Sequence, residues 1–94
     1  MGVRYLWDPE KAKANARKHG VEFADAVGVL EDPWAITAED PDAEGEPRFL
    51  ALGMDVLGRV LVVIYAFRGD EIRIISARKA TRKEREEYAK GIRF

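Results

Sequence analysis

The sequence predicts one α+β domain over residues 1–94, in which an antiparallel β-meander packs with two N-terminal helices and one C-terminal helix. Two observations lead to this fold class. Apolar residues recur at helical spacing before residue 31, and three apolar segments after residue 47 are joined by connections too short for parallel pairing. A chain of this length encloses a single modest core.

The first elements are a strand over residues 3–7 and a helix that follows it. Asp8 and Pro9 are typical of a helix start, because aspartate accepts an orphan backbone N–H and proline has none to satisfy. The helix is predicted to run to His19 and to end at Gly20, which readily adopts a left-handed conformation.

A second helix is predicted over residues 22–30, where the apolar residues share one face. Its interior Gly28 costs roughly 1 kcal/mol relative to alanine, so this helix must depend on packing against the rest of the domain. Residues 31–46 then carry seven acids and no base, with prolines among them. They predict a solvated loop with a short strand at residues 34–37.

The meander is predicted as strands over residues 48–54, 59–68 and 71–78. The middle strand is apolar on both faces, which indicates that both are covered. The last helix begins with Thr81 and Glu84 at the spacing of a capping box, and it is predicted to continue to Lys90.

Composition excludes several classes of protein. The chain has no cysteine and one histidine, which rules out disulfides and argues against a zinc site. It shows no glycine-rich phosphate loop, no apolar segment long enough for a bilayer and no signal peptide, so we expect no cofactor, no resident metal, no membrane association and a cytoplasmic location.

Charge is distributed unevenly although the formal net charge is only −1. Residues 1–58 hold 12 acids and 6 bases, whereas residues 59–94 hold 5 acids and 10 bases. A basic C-terminal third is the electrostatic footprint of a local phosphate site.

Three stretches together resemble the BrnT family of bacterial toxins. The first is residues 7–12 with Asn15 and the run Lys18-His19-Gly20-Val21, and the second is residues 58–65. The third is residues 72–81, with the sequence I-R-I-I-S-A-R-K-A-T, followed by residues 82, 84, 85 and 88. The combination of the K-H-G-V run with the third stretch is the specific part of the match, and the three stretches cover nearly the whole chain.

The resemblance implies a small RelE-like fold and a type II toxin that cuts RNA without a metal and inhibits translation. It also implies a BrnA-like antitoxin as partner, which contacts DNA on behalf of the complex, so that the toxin meets DNA only through it. A toxin dimer within a heterotetramer remains open. The alternative is a catalytically weak or inactive module that pairs with the antitoxin for transcriptional autoregulation.

Metal-free RNA cleavage needs a base for the 2′-hydroxyl, cations for the phosphate and an acid for the leaving oxygen. Arginine cannot be the base. We predict the catalytic residues to be His19, Arg48, Tyr65 and Arg78, and the RNA-binding residues to be Lys18, Arg68, Arg73 and Arg82.

Two of these predictions have specific conditions. His19 could equally be a helix-end residue that bonds the last carbonyls. Tyr65 and Arg78 converge on one phosphate only if their strand faces coincide, with Arg78 beside the free N–H groups of the last helix. The family typically has threonine where this chain has Ala66, a departure that favours the weaker alternative.

Overall fold

The computed structural model describes residues 2–91. Every predicted helix and strand is present, with ends that differ from the predictions by one or two residues. In chain order the elements are β1 (Arg4–Leu6), α1 (Pro9–His19), α2 (Phe23–Leu30), β2 (Ile36–Glu39), β3 (Phe49–Met54), β4 (Val60–Arg68), β5 (Glu71–Lys79) and α3 (Arg82–Gly91).

The five strands form one sheet in the order β1-β5-β4-β3-β2. The predicted meander is confirmed, since β3, β4 and β5 pair antiparallel in succession. At one edge β1 pairs parallel to β5, and at the other β2 pairs antiparallel to β3. The short strands thus extend the meander on both sides.

Helices cover the sheet from opposite sides. On the α1/α2 face, Leu61, Val63 and Ala77 pack with Phe23 and Val29 in the larger core. On the α3 face, a smaller cluster holds residues of β3, β4 and α3: Leu52, Val62, Ala80 and Tyr88. The prediction that the middle strand is covered on both sides is therefore confirmed. Among residues 2–91, no helix is long and apolar enough to cross a membrane.

The predicted helix ends are confirmed in atomic detail. The Asp8 side chain accepts a hydrogen bond of 2.8 Å from the Glu10 N–H, and Gly20 ends α1 with φ of 69°. At α3, Glu84 accepts from the Thr81 N–H and donates its own N–H to the Thr81 hydroxyl. These reciprocal bonds form the capping box that the sequence indicated.

Gly28 is explained by a close approach of two segments. A Cβ at this position would lie 2.8 Å from the backbone nitrogen of Val56, nearer than packed atoms allow. The glycine therefore lets α2 lie directly on the turn between β3 and β4, so the packing dependence expected from its low helix propensity is real.

A one-residue bulge interrupts the pairing of β4 with β5. Tyr65 pairs with Ile74, but Ile64 pairs with Ser76, so Ile75 has no partner. Because side chains alternate along a strand, one extra residue moves every later side chain of β5 to the opposite face.

Candidate nucleic-acid site

Two arginines flank a small residue on the α3 face of the sheet. Ala66 of β4 pairs with Arg73 of β5. Arg48 directly precedes Phe49, whose partner is Tyr65, so Arg48 lies opposite Ala66 from the other side. Ala66 is fully buried. One row across the sheet therefore contains Arg48, Ala66 and Arg73. The side chain between the two arginines is a methyl group, which has no polar atom.

Both arginines of this row are incompletely satisfied. The Nε atoms of Arg48 and Arg73 are buried and make no hydrogen bond with any residue in the described range 2–91. A buried donor without a partner costs about 1–3 kcal/mol. Two such donors side by side are costly for folding, and they are suited to an acceptor that arrives from outside.

Glu46 supplies an anion to the same place. Its Oε1 accepts a hydrogen bond from Arg73 Nη2, and its Oε2 lies 3.6 Å from Arg68 Nε. The Glu46 side chain is about a third exposed, so its carboxylate is accessible from solvent. We call Glu46, Arg48, Arg68 and Arg73 the arginine cluster.

The start of α1 contributes two further charged residues. A small cavity of about 50 Å³ is lined by Arg48 and Arg73, by Ile74 and Ile75 of β5, and by Asp8 and Lys11. It is large enough for a water molecule. Lys11 thus lies at the edge of the arginine cluster, and its side chain ends in an ammonium group, which is a proton donor.

The sequence analysis missed Glu46 and Lys11. Glu46 was grouped with a solvated acidic loop, although it stands two residues before Arg48. Lys11 lies on the exposed side of α1, where a charge normally indicates only solubility. Among the predicted residues, Arg48, Arg68 and Arg73 are brought together.

Arg78 is placed elsewhere and has a partner of its own. Its Nη1 and Nη2 donate to the two carboxylate oxygens of Glu84, at 2.8 and 3.0 Å. This pairing lowers the pKa of Glu84 to about 2 and raises the pKa of Arg78. The same carboxylate accepts from the Thr81 N–H, so the helix start that we expected to receive a phosphate already holds an internal anion.

Tyr65 lies on the other face of the sheet, so the expected convergence with Arg78 is wrong. Arg78 pairs with Val62, which faces α3, whereas Tyr65 packs with Phe49 and Phe67 on the α1/α2 face. The physical reason is the bulge, since a regular hairpin would have put both residues on one side. Burial raises the pKa of Tyr65 and disfavours its ionised form.

His19 and Lys18 lie at the far end of α1. Eight residues separate His19 from Lys11, which is about 12 Å along the helix axis. Next to His19, the Gly20 carbonyl accepts a hydrogen bond from Arg59. Arg82 is exposed at the start of α3 and pairs with Glu86 one turn later. The structure brings none of these predicted residues into the arginine cluster.

Within residues 2–91, no group of three or more histidine, cysteine or acidic side chains is arranged to hold a metal ion.

The comparisons with known proteins agree with one another. A family model described as the ribonuclease toxin BrnT of a type II toxin-antitoxin system matches residues 7–84. The chain is similar to the Brucella abortus ribonuclease toxin BrnT, whose crystal structure is known at 1.1 Å resolution: the TM-score is 0.64 and the identity 27%, over 86% of this chain and 100% of that one. A search of proteins with curated functions finds no significant match.

Proposed function

The chain belongs to the BrnT family of type II toxin–antitoxin ribonuclease toxins, and from this premise we propose that it cleaves RNA without a metal ion at the arginine cluster. One observation carries the proposal. Two buried guanidinium Nε donors, which have no partner among residues 2–91, lie in the same cluster as a solvent-accessible carboxylate.

In this mechanism Glu46 is the general base. Its carboxylate takes the proton of the ribose 2′-hydroxyl, whose oxygen attacks the adjacent phosphorus. Positioned acid–base groups of this kind contribute about 10²–10⁴ in rate. The ion pairs with Arg73 and Arg68 hold Glu46 in the cluster, next to the place where the phosphate would bind.

Arg48 and Arg73 supply the electrostatic part. Their Nε–H groups donate to no acceptor among residues 2–91, so they are available to donate hydrogen bonds to the phosphate oxygens as charge builds up in the transition state. Binding a phosphate satisfies both donors at once. The cost of leaving them unpaired in the free chain is thus recovered when substrate binds.

Lys11 is placed to complete the reaction. It lines the cavity that Arg48 and Arg73 share, and its ammonium donates a proton to the departing 5′-oxygen. The products are a 2′,3′-cyclic phosphate and a 5′-hydroxyl, and every proton is accounted for by Glu46 and Lys11. Arg68 steers the RNA, and the exposed Arg82 binds a phosphate farther along the strand.

The biological role follows from the family. RNA cleavage in the cytoplasm inhibits translation, and a BrnA-like antitoxin neutralises the chain and carries the DNA contacts of the complex. The alternative, a catalytically weak or inactive module that pairs with the antitoxin, is favoured by Ala66, because the threonine hydroxyl usual in the family is missing from this row of the sheet.

The test is cleavage of a short single-stranded RNA by the purified chain in excess EDTA. We expect cleavage to persist, to leave a cyclic phosphate, and to stop when the nucleotide at the cut carries a 2′-deoxyribose. Loss of cleavage in EDTA with recovery on adding Mg²⁺ would contradict the mechanism, and intact RNA in every buffer would select the binding module.

A further inference from the structure

The edge strand β2 leaves half of its backbone unpaired. Asp40 N–H donates to the Arg48 carbonyl at 2.8 Å, which fixes the even-numbered positions of this strand as those bonded to β3. Because bonding directions alternate along an antiparallel strand, the N–H and C=O groups of Thr37 and Glu39 point away from the sheet. All four residues of β2 are exposed.

This edge has only part of the usual protection against a further strand, namely its length of four residues and one charge. Sheet edges are normally defended by charge, proline or a bulge, but here Ile36, Thr37 and Ala38 are uncharged and the pairing with β3 is regular. Only Glu39 carries a charge on the strand itself. Among residues 2–91 the outward backbone groups of Thr37 and Glu39 have no backbone partner, so they can pair with an extended peptide.

Apolar cavities lie beside the edge on both faces of the sheet. On the α3 face, a cavity of about 410 Å³ is lined mainly by Trp34, Met54, Val56 and Tyr88. On the α1/α2 face, a cavity of about 170 Å³ is lined in part by Thr37, Tyr65 and Phe67. Trp34, Met54 and Phe67 are all exposed large apolar side chains. An added strand would direct alternate side chains toward these two cavities.

The negative charge around β2 indicates which kind of peptide would pair with this edge. Residues 31–46 hold seven acids and no base, so a second copy of the same edge would bring two acidic segments together. A segment with lysine or arginine among its apolar residues is complementary instead.

We infer that β2 is the docking edge for an extended, basic segment of the antitoxin, which pairs with the outward backbone groups of Thr37 and Glu39. This inference rests on the type II toxin assignment for its partner, but not on the catalytic residues. A strand that continues past Glu39 reaches the start of the acidic loop, residues 40–46.

Amide hydrogen exchange on the toxin–antitoxin complex tests the pairing directly. In the free chain the outward Thr37 and Glu39 amides should exchange quickly and the Ala38 amide slowly, because among these three amides only that of Ala38 points toward β3. In the complex all three should be slow. Fast exchange at Thr37 and Glu39 in a saturated complex overturns the inference.

A matched pair of variants tests the same contact by affinity. Thr37→Pro removes an outward N–H and leaves the bonds to β3 intact, whereas Thr37→Val retains the N–H. We expect Thr37→Pro to weaken antitoxin binding about tenfold, as for one lost backbone hydrogen bond, and Thr37→Val to leave it unchanged. Equal binding by both variants overturns the inference.

Two more measurements separate the possible failures. Sedimentation of the free chain shows whether a second copy occupies the edge, and protection of Thr37 in such a dimer would also overturn the inference. RNA cleavage by free Thr37→Pro and by the unaltered chain reports the catalytic proposal alone. If neither cuts RNA while the edge amides are protected in the complex, the docking edge stands and the catalytic proposal fails.

Discussion

Arg73 and Arg78 lie five residues apart on β5 and face the same side of the sheet, yet their surroundings are opposite. Arg78 has a 42% exposed side chain and a carboxylate from α3 that meets both terminal nitrogens. Arg73 is more buried, at 25% exposed, but its Nε has no partner within residues 2–91, and it shares Glu46 with Arg68. Arg78, whose two terminal nitrogens are both hydrogen-bonded, stabilises the fold. Arg73 keeps a donor that is available for a ligand.

The largest expected effect comes from removing the carboxylate at Arg73. Glu46→Gln should reduce the cleavage rate by about 10²–10⁴, the contribution of a general base, while RNA binding persists because the guanidinium groups lose an internal competitor. Single-turnover cleavage and RNA titration measure the two effects. Glu44→Gln, an exposed acid in the same segment, is the control. Unchanged cleavage in Glu46→Gln would remove this residue from the mechanism.

The two arginines themselves should respond differently. Arg73→Ala should slow cleavage by about 10²–10³, the loss of one transition-state donor. Arg78→Ala should change cleavage little and instead lower the free energy of unfolding by about 1 kcal/mol, because its ion pair is partly exposed. Cleavage rates and urea denaturation of both variants test this difference. Unchanged cleavage in Arg73→Ala together with slow cleavage in Arg78→Ala would contradict the assignment of Arg73 to the site and Arg78 to the fold.

A smaller effect on the free energy of unfolding is expected when the pH is lowered. The pKa of Glu84 is about 2 in the folded chain and 4.5 without its partners, so the ionised form stabilises the fold fully above the higher value. This contribution to stability is lost as the pH falls toward the pKa of Glu84 in the folded chain. The stability difference between the unaltered chain and Glu84→Gln should therefore shrink from about pH 5 downward. Glu86→Gln, on the exposed side of α3, is the matched control in the same urea denaturation series.

The smallest effect on stability and cleavage is expected from substitutions of Ala66, the strand partner of Arg73. Ala66→Thr adds a hydroxyl between two unpaired donors, and one satisfied hydrogen bond contributes about 1 kcal/mol. We expect a modest gain in thermal stability and a change in cleavage within about tenfold. Ala66→Val has the same shape without the oxygen, and it should lose stability because this fully buried site is filled without a bond. Equal behaviour of the two variants would mean that the hydroxyl is not used.

The elements were predictable because their signals are local. Asp8 and Gly20 bound α1 through hydrogen bonds within a few residues, and Thr81 and Glu84 do the same for α3. The meander followed from short connections. The parallel pairing of β1 with β5 was not foreseen, since it depends on contacts across the whole chain.

The site was only partly predictable for the same reason. Arg48, Arg68 and Arg73 were correctly selected as strand arginines that could meet, but Glu46 joins them through loop geometry that no spacing rule reveals. The assumed convergence of Tyr65 and Arg78 failed on a single unpaired residue, which leaves no mark in an apolar strand sequence. Asn15 is similarly silent in the sequence, although its side chain exchanges hydrogen bonds with Ala77 in the core.

The unpaired Ile75 has a consequence for how this chain tolerates change in length. Deleting that residue would not merely shorten β5, because Ala77 would turn outward and lose its place against Asn15, and α3 would start from the wrong side of the sheet. Insertions and deletions in the second half of β5 should therefore survive only in pairs. The number of residues between the bulge and α3 therefore matters more than the identity of the side chains, because this number decides which face of the sheet each side chain lies on.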